Sequence, residues 1–342
     1  MNRTNATSHN LIPHNVVVTI YVIILTFNII GNTIVATVVI LHRKMQTFPN
    51  WMILNLSFAD LAVGVLCIPL EIPLEMNGGN WIYGGFICAL LFPLQTATVF
   101  ASVFTLMVLS TSRYYAIVRP LSPQPRTCHA KISIVVIWAL SFVLVTPYMA
   151  ALETHEDISH NTTTCKPTWS TTTNETYTMF NFLLQYAIPL LVMSVAYALV
   201  IRDVSYKQHS RERSWSRQDV VVRRENKKVT KLLIVLTMTF VVCGLPFQIV
   251  GFTVDMFEHA HVHHGLVVVC YMFLLLNSAL NPILYNMFSS NFREAFHALV
   301  RSAATGEKRQ STNVGYKMST RSRMSKRSNA TVVTYLVGDT KL

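Results

Sequence analysis

The stretch CALLFPLQTATVFASVFTLMVLSTSRYYAIVRP, residues 88–120, decides the fold. Its first charged residue is Arg113, and no Asp, Glu, Lys or Arg occurs between Glu75 and that arginine. A helix of about 20 apolar residues crosses the hydrocarbon core of a bilayer. The stretch therefore predicts a membrane-spanning helix that ends near Arg113. A charge buried at such a place is costly and usually has a function.

Similar charge-poor segments recur along the chain of 342 residues, which is 51% hydrophobic and 13% charged. A soluble protein carries about 25% charged residues. Lipid offers no partner to a bare backbone amide, so each spanning segment must be helical. The sequence predicts an all-α membrane protein, a seven-transmembrane-helix bundle. Its spans are approximately residues 16–41, 51–75, 85–118, 131–152, 177–203, 228–256 and 263–287.

The segments outside the spans complete the predicted organisation. Residues 1–15 form a polar N-terminal tail, and residues 16–287 form the seven-helix domain. Residues 288–301 carry Phe292, Phe296 and Leu299 at helical spacing, which predicts an amphipathic helix 8 on the membrane surface. Residues 302–342 are rich in Ser, Thr, Lys and Arg and are predicted to be a disordered tail. The basic loop 204–227 is predicted to be mobile.

Basic residues are distributed unevenly between the two sides of the predicted bundle. With the N-terminus outside, the outer segments carry two basic and eight acidic residues, the inner segments carry 26 basic and seven acidic residues, and Asp60 lies within the membrane. Cytoplasmic loops of membrane proteins carry an excess of Lys and Arg. The distribution predicts a multi-pass plasma-membrane protein with an extracellular N-terminus and a cytoplasmic C-terminus. It also explains the net charge of +12 without a nucleic-acid partner.

Glycosylation sequons agree with that orientation. Those predicted to be used lie on outer segments, at Asn2, Asn5, Asn161 and Asn174. Two further matches fall in a helix and in the inner tail, at Asn55 and Asn329, and are interpreted as chance.

The six cysteines divide into two groups. Cys88, at the outer end of helix 3, and Cys165, in the long second outer loop, both face an oxidising compartment. We therefore expect a disulfide between them that holds the loop across the mouth of the bundle. The remaining four are interpreted as free thiols: Cys67, Cys128, Cys243 and Cys270.

A set of residues distributed over the spans, in a characteristic order, points to a family. The set is Asn32, Leu56, Asp60, Trp81, Cys88, Arg113, Tyr114, Trp138, Pro189, Tyr197, Phe240, Pro246, Asn281, Pro282 and Tyr285. In these residues, and over roughly residues 16–300, the chain resembles the rhodopsin-like (class A) G-protein-coupled receptors. Its closest resemblance is to neuropeptide receptors.

The resemblance implies an allosteric sodium site among the polar residues of helices 2, 3 and 7. Its expected ligands are Asp60, Ser102, Asn277, Ser278 and Asn281. A carboxylate buried in the membrane needs a compensating cation or proton. The alternative to sodium is a protonated Asp60 in a hydrogen-bonded network.

The resemblance also implies an activation mechanism at the inner half of the bundle. Helix 6 opens a cavity around Arg113, and a heterotrimeric G protein inserts there. The residues implied in coupling are Arg113, Tyr114, Tyr197, Tyr285, Phe240 and Pro246. In the family, the two tyrosines Tyr197 and Tyr285 swing inward and meet through water. For Arg113 the alternative is an arginine that extends to lipid phosphate.

The chain departs from the family at three places. Ser112 stands where the family has an acidic residue that restrains the arginine, which predicts raised basal signalling. Gly244 stands where the family has tryptophan, which predicts a void or a deeper pocket, with Phe240 or Phe247 as substitutes. No cysteine follows Cys270, so the usual palmitoyl anchor after helix 8 cannot form.

The predicted ligand site lies between the outer ends of the helices. Leu275 occupies the retinal-lysine position of opsins, and Gln95 occupies the aspartate position of amine receptors, which excludes both classes. Gln95 resembles several peptide receptors, and an acid at the position of Asp255 grips a ligand arginine in those receptors. The residues predicted to bind ligand are Gln95, Glu71, Glu75, Asp255, Phe247 and Thr96. A basic neuropeptide is favoured, with C-terminally amidated peptides as one class.

Other functions have weaker support. A non-peptide ligand, such as a small molecule or lipid, and a constitutively active orphan receptor are the alternatives within the same fold. A seven-helix transporter or channel is the remote alternative, and it needs paired charges within the membrane. No HExxH motif, zinc-type Cys/His spacing or serine elbow indicates an enzyme. No catalytic residue and no cofactor beyond sodium is expected. The basic tail predicts a receptor kinase, arrestin and membrane lipid as partners.

Overall fold

A computed structural model describes residues 13–159, 161–211, 217–257 and 262–305 of the chain. Within these ranges it contains seven helices that are long and apolar enough to cross a membrane. The protein is therefore a multi-pass membrane protein, and the predicted fold class is confirmed. Neither end of the bundle is assigned to a side of the membrane by the fold, so we name the ends by Cys88 and by Arg113.

The spanning helices follow one another with short connections. They are α1 (His14–Leu41), α2 (Phe48–Met76), α3 (Gly84–Val118), α4 (Thr127–Ala151), α5 (Thr171–Phe182, Leu183–Ala187 and Ile188–Arg211), α6 (Arg217–Met256) and α7 (His264–Phe288). A short amphipathic helix α8 (Ser290–Thr305) follows. Wider turns of the π type occur in α2 at Val63–Cys67 and in α5 at Leu183–Ala187.

The chain divides into two units, Met1–Val300 and Arg301–Leu342. Every contact discussed below lies in the first unit. Of the second unit the structure describes residues 301–305, which form the last turn of α8. The predicted tail from residue 306 onward and the sequons at Asn2 and Asn5 lie outside the described residues.

Helix α3 occupies the centre of the bundle. It contacts α2, α4, α5 and α6, whereas α1 packs between α2 and α7. Along α3 the side chains of Phe100, Val103 and Leu109 are fully buried. Lipid already solvates apolar side chains, so what distinguishes these buried positions is close packing rather than escape from water.

The long connection between α4 and α5 is a β-hairpin, which the sequence did not predict. Its strands β1 (Leu152–Asp157) and β2 (Thr162–Pro167) pair antiparallel, with Leu152 opposite Pro167. A disulfide joins Cys165 of β2 to Cys88 of α3, as predicted. The amide of Trp81 donates to the carbonyl of Thr163 at 2.8 Å, so the loop before α3 is tied to the same hairpin.

One expectation about the connections is wrong. Residues 204–227 were expected to form a mobile loop, but α5 continues to Arg211 and α6 begins at Arg217. The segment contains neither glycine nor proline, and its Lys, Arg, Glu and Gln residues are good helix formers. Both helices therefore extend beyond the apolar spans by several turns.

Candidate functional site

A half-buried acidic side chain lies at the Cys88 end of the bundle. Glu71 of α2 is hydrogen-bonded by the hydroxyl of Tyr271 on α7. The same hydroxyl accepts a hydrogen bond from Nε2 of Gln95 on α3. Three helices thus meet in one chain of hydrogen bonds. Among the described residues, no Lys or Arg forms an ion pair with Glu71, so its only polar partners are neutral.

Aromatic rings form the walls of this site. The ring of Tyr271 lies 5.4 Å from Phe247 of α6 and 6.4 Å from Tyr21 of α1, centroid to centroid. Tilted and edge-to-face ring contacts of this kind stabilise by about 0.5–1.5 kcal/mol each. We call the group of Tyr21, Glu71, Gln95, Phe247 and Tyr271 the acidic pocket.

Glu75 lies one turn beyond Glu71 and has different neighbours. Its carboxylate oxygens are 3.8 Å from Nδ1 of His14 and 3.7 Å from Nε2 of His264. The carboxylate is mostly buried, whereas the two histidines are partly exposed. Two further histidines between α6 and α7, His259 and His261, lie outside the described residues.

The remaining predicted ligand residues have hydrogen-bond partners outside the acidic pocket. Asp255 at the end of α6 accepts a hydrogen bond of 2.6 Å from the hydroxyl of Thr178 on α5. The hydroxyl of Thr96 donates to the carbonyl of Phe92 within α3. The structure therefore brings together Glu71, Gln95 and Phe247, and it places Asp255 against α5 instead.

Tyr83 connects this end of the bundle to the loop before α3. Burial and, secondarily, the nearby Glu71 carboxylate raise the pKa of the Tyr83 hydroxyl. The hydroxyl donates to the carbonyl of Leu70 at 2.6 Å. It therefore remains a neutral donor that fixes the loop against α2, one residue before Glu71.

A second polar site lies at mid-bundle around Asp60. The carboxylate accepts a hydrogen bond of 2.8 Å from Nδ2 of Asn281, and Ser278 is also hydrogen-bonded to it. Oδ1 of Asn277 is buried without a hydrogen-bond partner, and Ser102 is buried on α3. A sodium ion is coordinated by oxygen ligands. These residues fit the ion because they offer one carboxylate, two hydroxyls and an unpartnered amide oxygen.

Asn32 and Asn55 are structural members of the bundle core. Nδ2 of Asn32 donates to the carbonyls of Asn28 and Ser278, which joins α1 to α7. The amide of Asn55 bridges Thr105 at 2.8 Å and the indole nitrogen of Trp138 at 2.9 Å. Its side chain is buried, so the sequon at Asn55 cannot accept a glycan.

At the Arg113 end, Ser112 does not hold the arginine. Its hydroxyl donates to the carbonyl of Leu109 in its own helix at 2.7 Å. Nε of Arg113 is buried without a hydrogen-bond partner, and no acidic residue in the described part of the chain pairs with it. The ring of Tyr114 is half-buried and contacts Tyr115 edge to face.

The two tyrosines implied in activation have separate partners. The Tyr197 hydroxyl lies 3.2 Å from the hydroxyl of Thr237 on α6. The Tyr285 ring stacks on Phe292 of α8 at 5.6 Å, and its buried hydroxyl has no hydrogen-bond partner. Neither tyrosine contacts the other, so this structure does not show the pair that the resemblance implies for an active receptor.

The expectation of a void at Gly244 is wrong, because a side chain of α5 fills the space. A Cβ at residue 244 would overlap the hydroxyl of Tyr186 and lie 3.2 Å from its Cζ. The Tyr186 ring stacks on Phe240 at 5.1 Å and is almost completely buried. Tyr186, rather than Phe240 or Phe247, therefore occupies the place that the absent tryptophan leaves.

Several of these residues were not predicted from the sequence. Tyr271 lies in the run VVVCYMFLLL, and Gln185 and Tyr186 lie in LLQYAIPLL. Polar groups within apolar spans are candidates by default, so the signal was present. What the spacing did not show is which helix each of these side chains faces.

Comparison with known proteins gives one consistent result. The model of the family "7 transmembrane receptor (rhodopsin family)" matches residues 31–285. Galanin receptor 2a of Danio rerio is 32% identical over 299 residues, which cover 84% of this chain and 79% of that protein. The neuropeptide Y receptor type 6 of Mus musculus is 28% identical, with coverages of 85% and 82%. The somatostatin receptor type 5 of Rattus norvegicus is 31% identical, with coverages of 82% and 76%.

The family match spans the helices from α1 to α7, including the Asp60 site and the Arg113 end. The matched residues include those of the described polar sites. The chain belongs to the rhodopsin family of seven-transmembrane receptors.

Proposed function

We propose that this protein is a plasma-membrane receptor for a basic peptide that activates heterotrimeric G proteins. The N-terminus is extracellular and the C-terminus is cytoplasmic, as the charge distribution indicates. The protein catalyses no covalent reaction. A receptor for an amidated peptide is the form to test first, because Gln95 can accept or donate to a terminal amide.

The observation that carries the proposal is the half-buried carboxylate of Glu71. Its hydrogen-bond partner in the described residues is neutral, and the two histidines at this end lie beside Glu75. Removing a carboxylate from water without a cation is costly. A ligand guanidinium supplies the missing charge, and its planar donors suit a carboxylate bidentately.

Two further features favour a peptide. The three relatives named above are receptors for galanin, neuropeptide Y and somatostatin. The hairpin β1–β2 is held to α3 by the Cys88–Cys165 disulfide. An exposed two-stranded hairpin offers backbone hydrogen bonds to an extended peptide.

Transmission to the G protein depends on the Arg113 end. When α6 pivots at Pro246, the cavity beside α3 widens and Arg113 becomes available to the G protein. Arg113 has no acidic partner in the described part of the chain, so no ion pair has to break first. The sequence of the extensions of α5 and α6 is rich in basic residues, which suits the same partner and anionic lipid.

The test is ligand-stimulated nucleotide exchange. Cells that express the full chain are exposed to a panel of synthetic basic peptides, each with a free or an amidated C-terminus. We expect an amidated, arginine-containing peptide to stimulate exchange, and we expect Gln95→Ala, Glu71→Ala and Asp255→Ala to weaken its potency. Stimulation by uncharged lipids alone would contradict the peptide proposal.

Basal exchange is expected to depend on Ser112. Ser112→Asp places a carboxylate beside Arg113, and a hydrogen bond to a charged group contributes about 1.5–3 kcal/mol. Basal G-protein turnover should therefore fall about tenfold. Ser112→Asn is the matched control, because it adds similar bulk without charge. Equal turnover in the wild type and Ser112→Asp would contradict the assignment.

Sodium is proposed as an allosteric ligand of the Asp60 site. Asp60, Ser102, Asn277, Ser278 and Asn281 would hold the ion, which would favour the resting arrangement of α2, α3 and α7. For a ligand that binds only the folded state, a concentration of ten times Kd stabilises by about 1.4 kcal/mol.

The sodium proposal is tested by thermal unfolding. The midpoint temperature of thermal unfolding of the purified receptor should be higher in sodium chloride than in choline chloride at equal ionic strength. Asp60→Asn should abolish this difference. Ser57→Ala is the control, because Ser57 is buried on the same helix but donates only to the carbonyl of Ile53. A sodium effect that survives Asp60→Asn would refute the site.

The C-terminal tail completes the proposal. It contains the run RSRMSKRS, whose serines are flanked by basic residues. Phosphorylation by a receptor kinase would add about −1.5 to −2 charges per site and create a docking surface for arrestin.

A further inference from the structure

Helix α6 has a weak point at its proline. Pro246 has no amide hydrogen to donate to the carbonyl of Val242, and Gly244 lies two residues earlier. Proline and glycine are the usual places at which a helix bends. The segment 244–248 is therefore the natural hinge of α6.

Helix α5 contacts this hinge on the C-terminal side of Pro246. Gln185 lies in the wide turn Leu183–Ala187, and its Oε1 accepts a hydrogen bond of 2.9 Å from Nε2 of Gln248. Gln185 is 2% exposed, so the bond forms in a dry environment. A neutral hydrogen bond of this kind contributes about 1 kcal/mol.

The neighbouring residue, Tyr186, contacts the hinge on the N-terminal side of Pro246. Its hydroxyl fits against the bare Cα of Gly244, and its ring stacks on Phe240 at 5.1 Å and on Phe182 at 6.4 Å. Only glycine leaves room for this contact, because any Cβ at residue 244 would overlap the hydroxyl. We call Gln185, Tyr186, Gly244 and Gln248 the hinge clasp.

Two features suggest what the hinge clasp does. Residues 244 and 248 are one turn apart on the same face of α6, so the clasp contacts both arms of the hinge across Pro246. Wider helical turns of the type found at Leu183–Ala187 occur frequently at functional sites. At the same time Ser112 supplies no restraint to Arg113, because its hydroxyl is bonded within α3.

We propose that the hinge clasp sets the resting position of α6. While the Gln185–Gln248 bond and the Tyr186–Gly244 contact are in place, the two arms of α6 keep one angle. When the clasp opens, α6 pivots at Pro246 and the Arg113 end widens. The consequence for signalling rests on the proposed function, whereas the restraint itself is a property of the bundle.

The restraint is measured without a G protein. Nitroxide labels are attached to the native Cys128, which is exposed at the start of α4, and to a cysteine introduced by Lys227→Cys on α6. The other free cysteines are buried: Cys67, Cys243 and Cys270. Pulsed dipolar spectroscopy of the full chain in lipid nanodiscs then reports the distribution of distances between α4 and α6.

The first variant is the pair Gln185→Met and Gln248→Met, which keeps side-chain length and removes both partners of the bond. We expect the population of molecules with the longer distance between the labels on α4 and α6 to rise about fivefold, the equivalent of about 1 kcal/mol. The matched control is Thr105→Val, which breaks the buried bond that Asn55 of α2 donates to α3. It should lower the unfolding midpoint and leave the distance distribution unchanged.

The second variant tests the other half of the clasp. Gly244→Ala pushes the Tyr186 hydroxyl away and should also increase the longer-distance form. Tyr186→Phe removes the overlapping oxygen, so the double variant Gly244→Ala/Tyr186→Phe should return towards the wild-type distribution. A merely structural contact would lower the unfolding midpoint in the single variant without moving α6.

The outcomes separate the restraint from the proposed function. If both sets of clasp variants show the wild-type distance distribution, the inference is overturned, regardless of any effect on signalling. A changed distribution without nucleotide exchange in any variant or with any peptide would uphold the clasp and refute the G-protein function. Changed distributions together with raised basal exchange would support both.

Discussion

Replacing Glu71 with glutamine is expected to weaken activation by an arginine-containing peptide about 100-fold. Truncating one partner of a buried, hydrogen-bonded charge pair costs about 2–5 kcal/mol, and about 2.7 kcal/mol corresponds to 100-fold. Glutamine retains an oxygen that can accept from Tyr271, so the Gln95–Tyr271 contact should survive. The loss should therefore reflect the missing charge. It is measured as the peptide concentration for half-maximal nucleotide exchange.

Two controls make this result specific. Glu75→Gln changes the neighbouring carboxylate, which already has His14 and His264 beside it, and should reduce potency less than fivefold. A peptide in which citrulline replaces the arginine should lose potency on the wild type and lose little more on Glu71→Gln. Fully additive losses would show that the guanidinium binds elsewhere, with Asp255 as the next residue to examine.

Removing the disulfide is expected to have the second large effect. The Cys88–Cys165 bond closes a sequence separation of 77 residues, for which chain-entropy arguments give about 4 kcal/mol of stabilisation. The double variant Cys88→Ser/Cys165→Ser should unfold at a lower temperature and bind peptide weakly. The hairpin would then be held by the contacts of Asn80 and Trp81 with Thr163.

Reductant provides the internal comparison for this variant. It should lower the unfolding midpoint of the wild type to that of the double variant and leave the double variant unchanged. Cys128→Ser removes an exposed free thiol and should behave as the wild type. A double variant with unaltered stability and binding would show that the hairpin is positioned by its hydrogen bonds alone.

The number and order of the helices were predictable because a bilayer imposes a simple rule. A span must be long, apolar and internally hydrogen-bonded, and each of these properties can be read along one dimension of the chain. The disulfide was predictable as well, because only Cys88 and Cys165 were expected outside the reducing compartment. The extended ends of α5 and α6 were missed because charge marks where a span ends, not where a helix ends.

The candidate site was predictable only as a set of residues. Glu71, Gln95 and Phe247 were selected from their positions, and the structure joins them through Tyr271, whose role was not anticipated. Asp255 was selected with them but lies against Thr178. Helical spacing shows which residues share a face, but the partner across that face depends on how each helix is rotated.

By itself, the sequence determined that this protein crosses a membrane seven times, which family it belongs to, and where its buried charges lie. The tertiary structure alone decided that Tyr186 fills the space beside Gly244 and that Ser112 turns away from Arg113. The reason is physical. Crossing a bilayer depends on the composition of each segment, whereas filling a gap depends on which residues, far apart in the sequence, the folded bundle brings into contact.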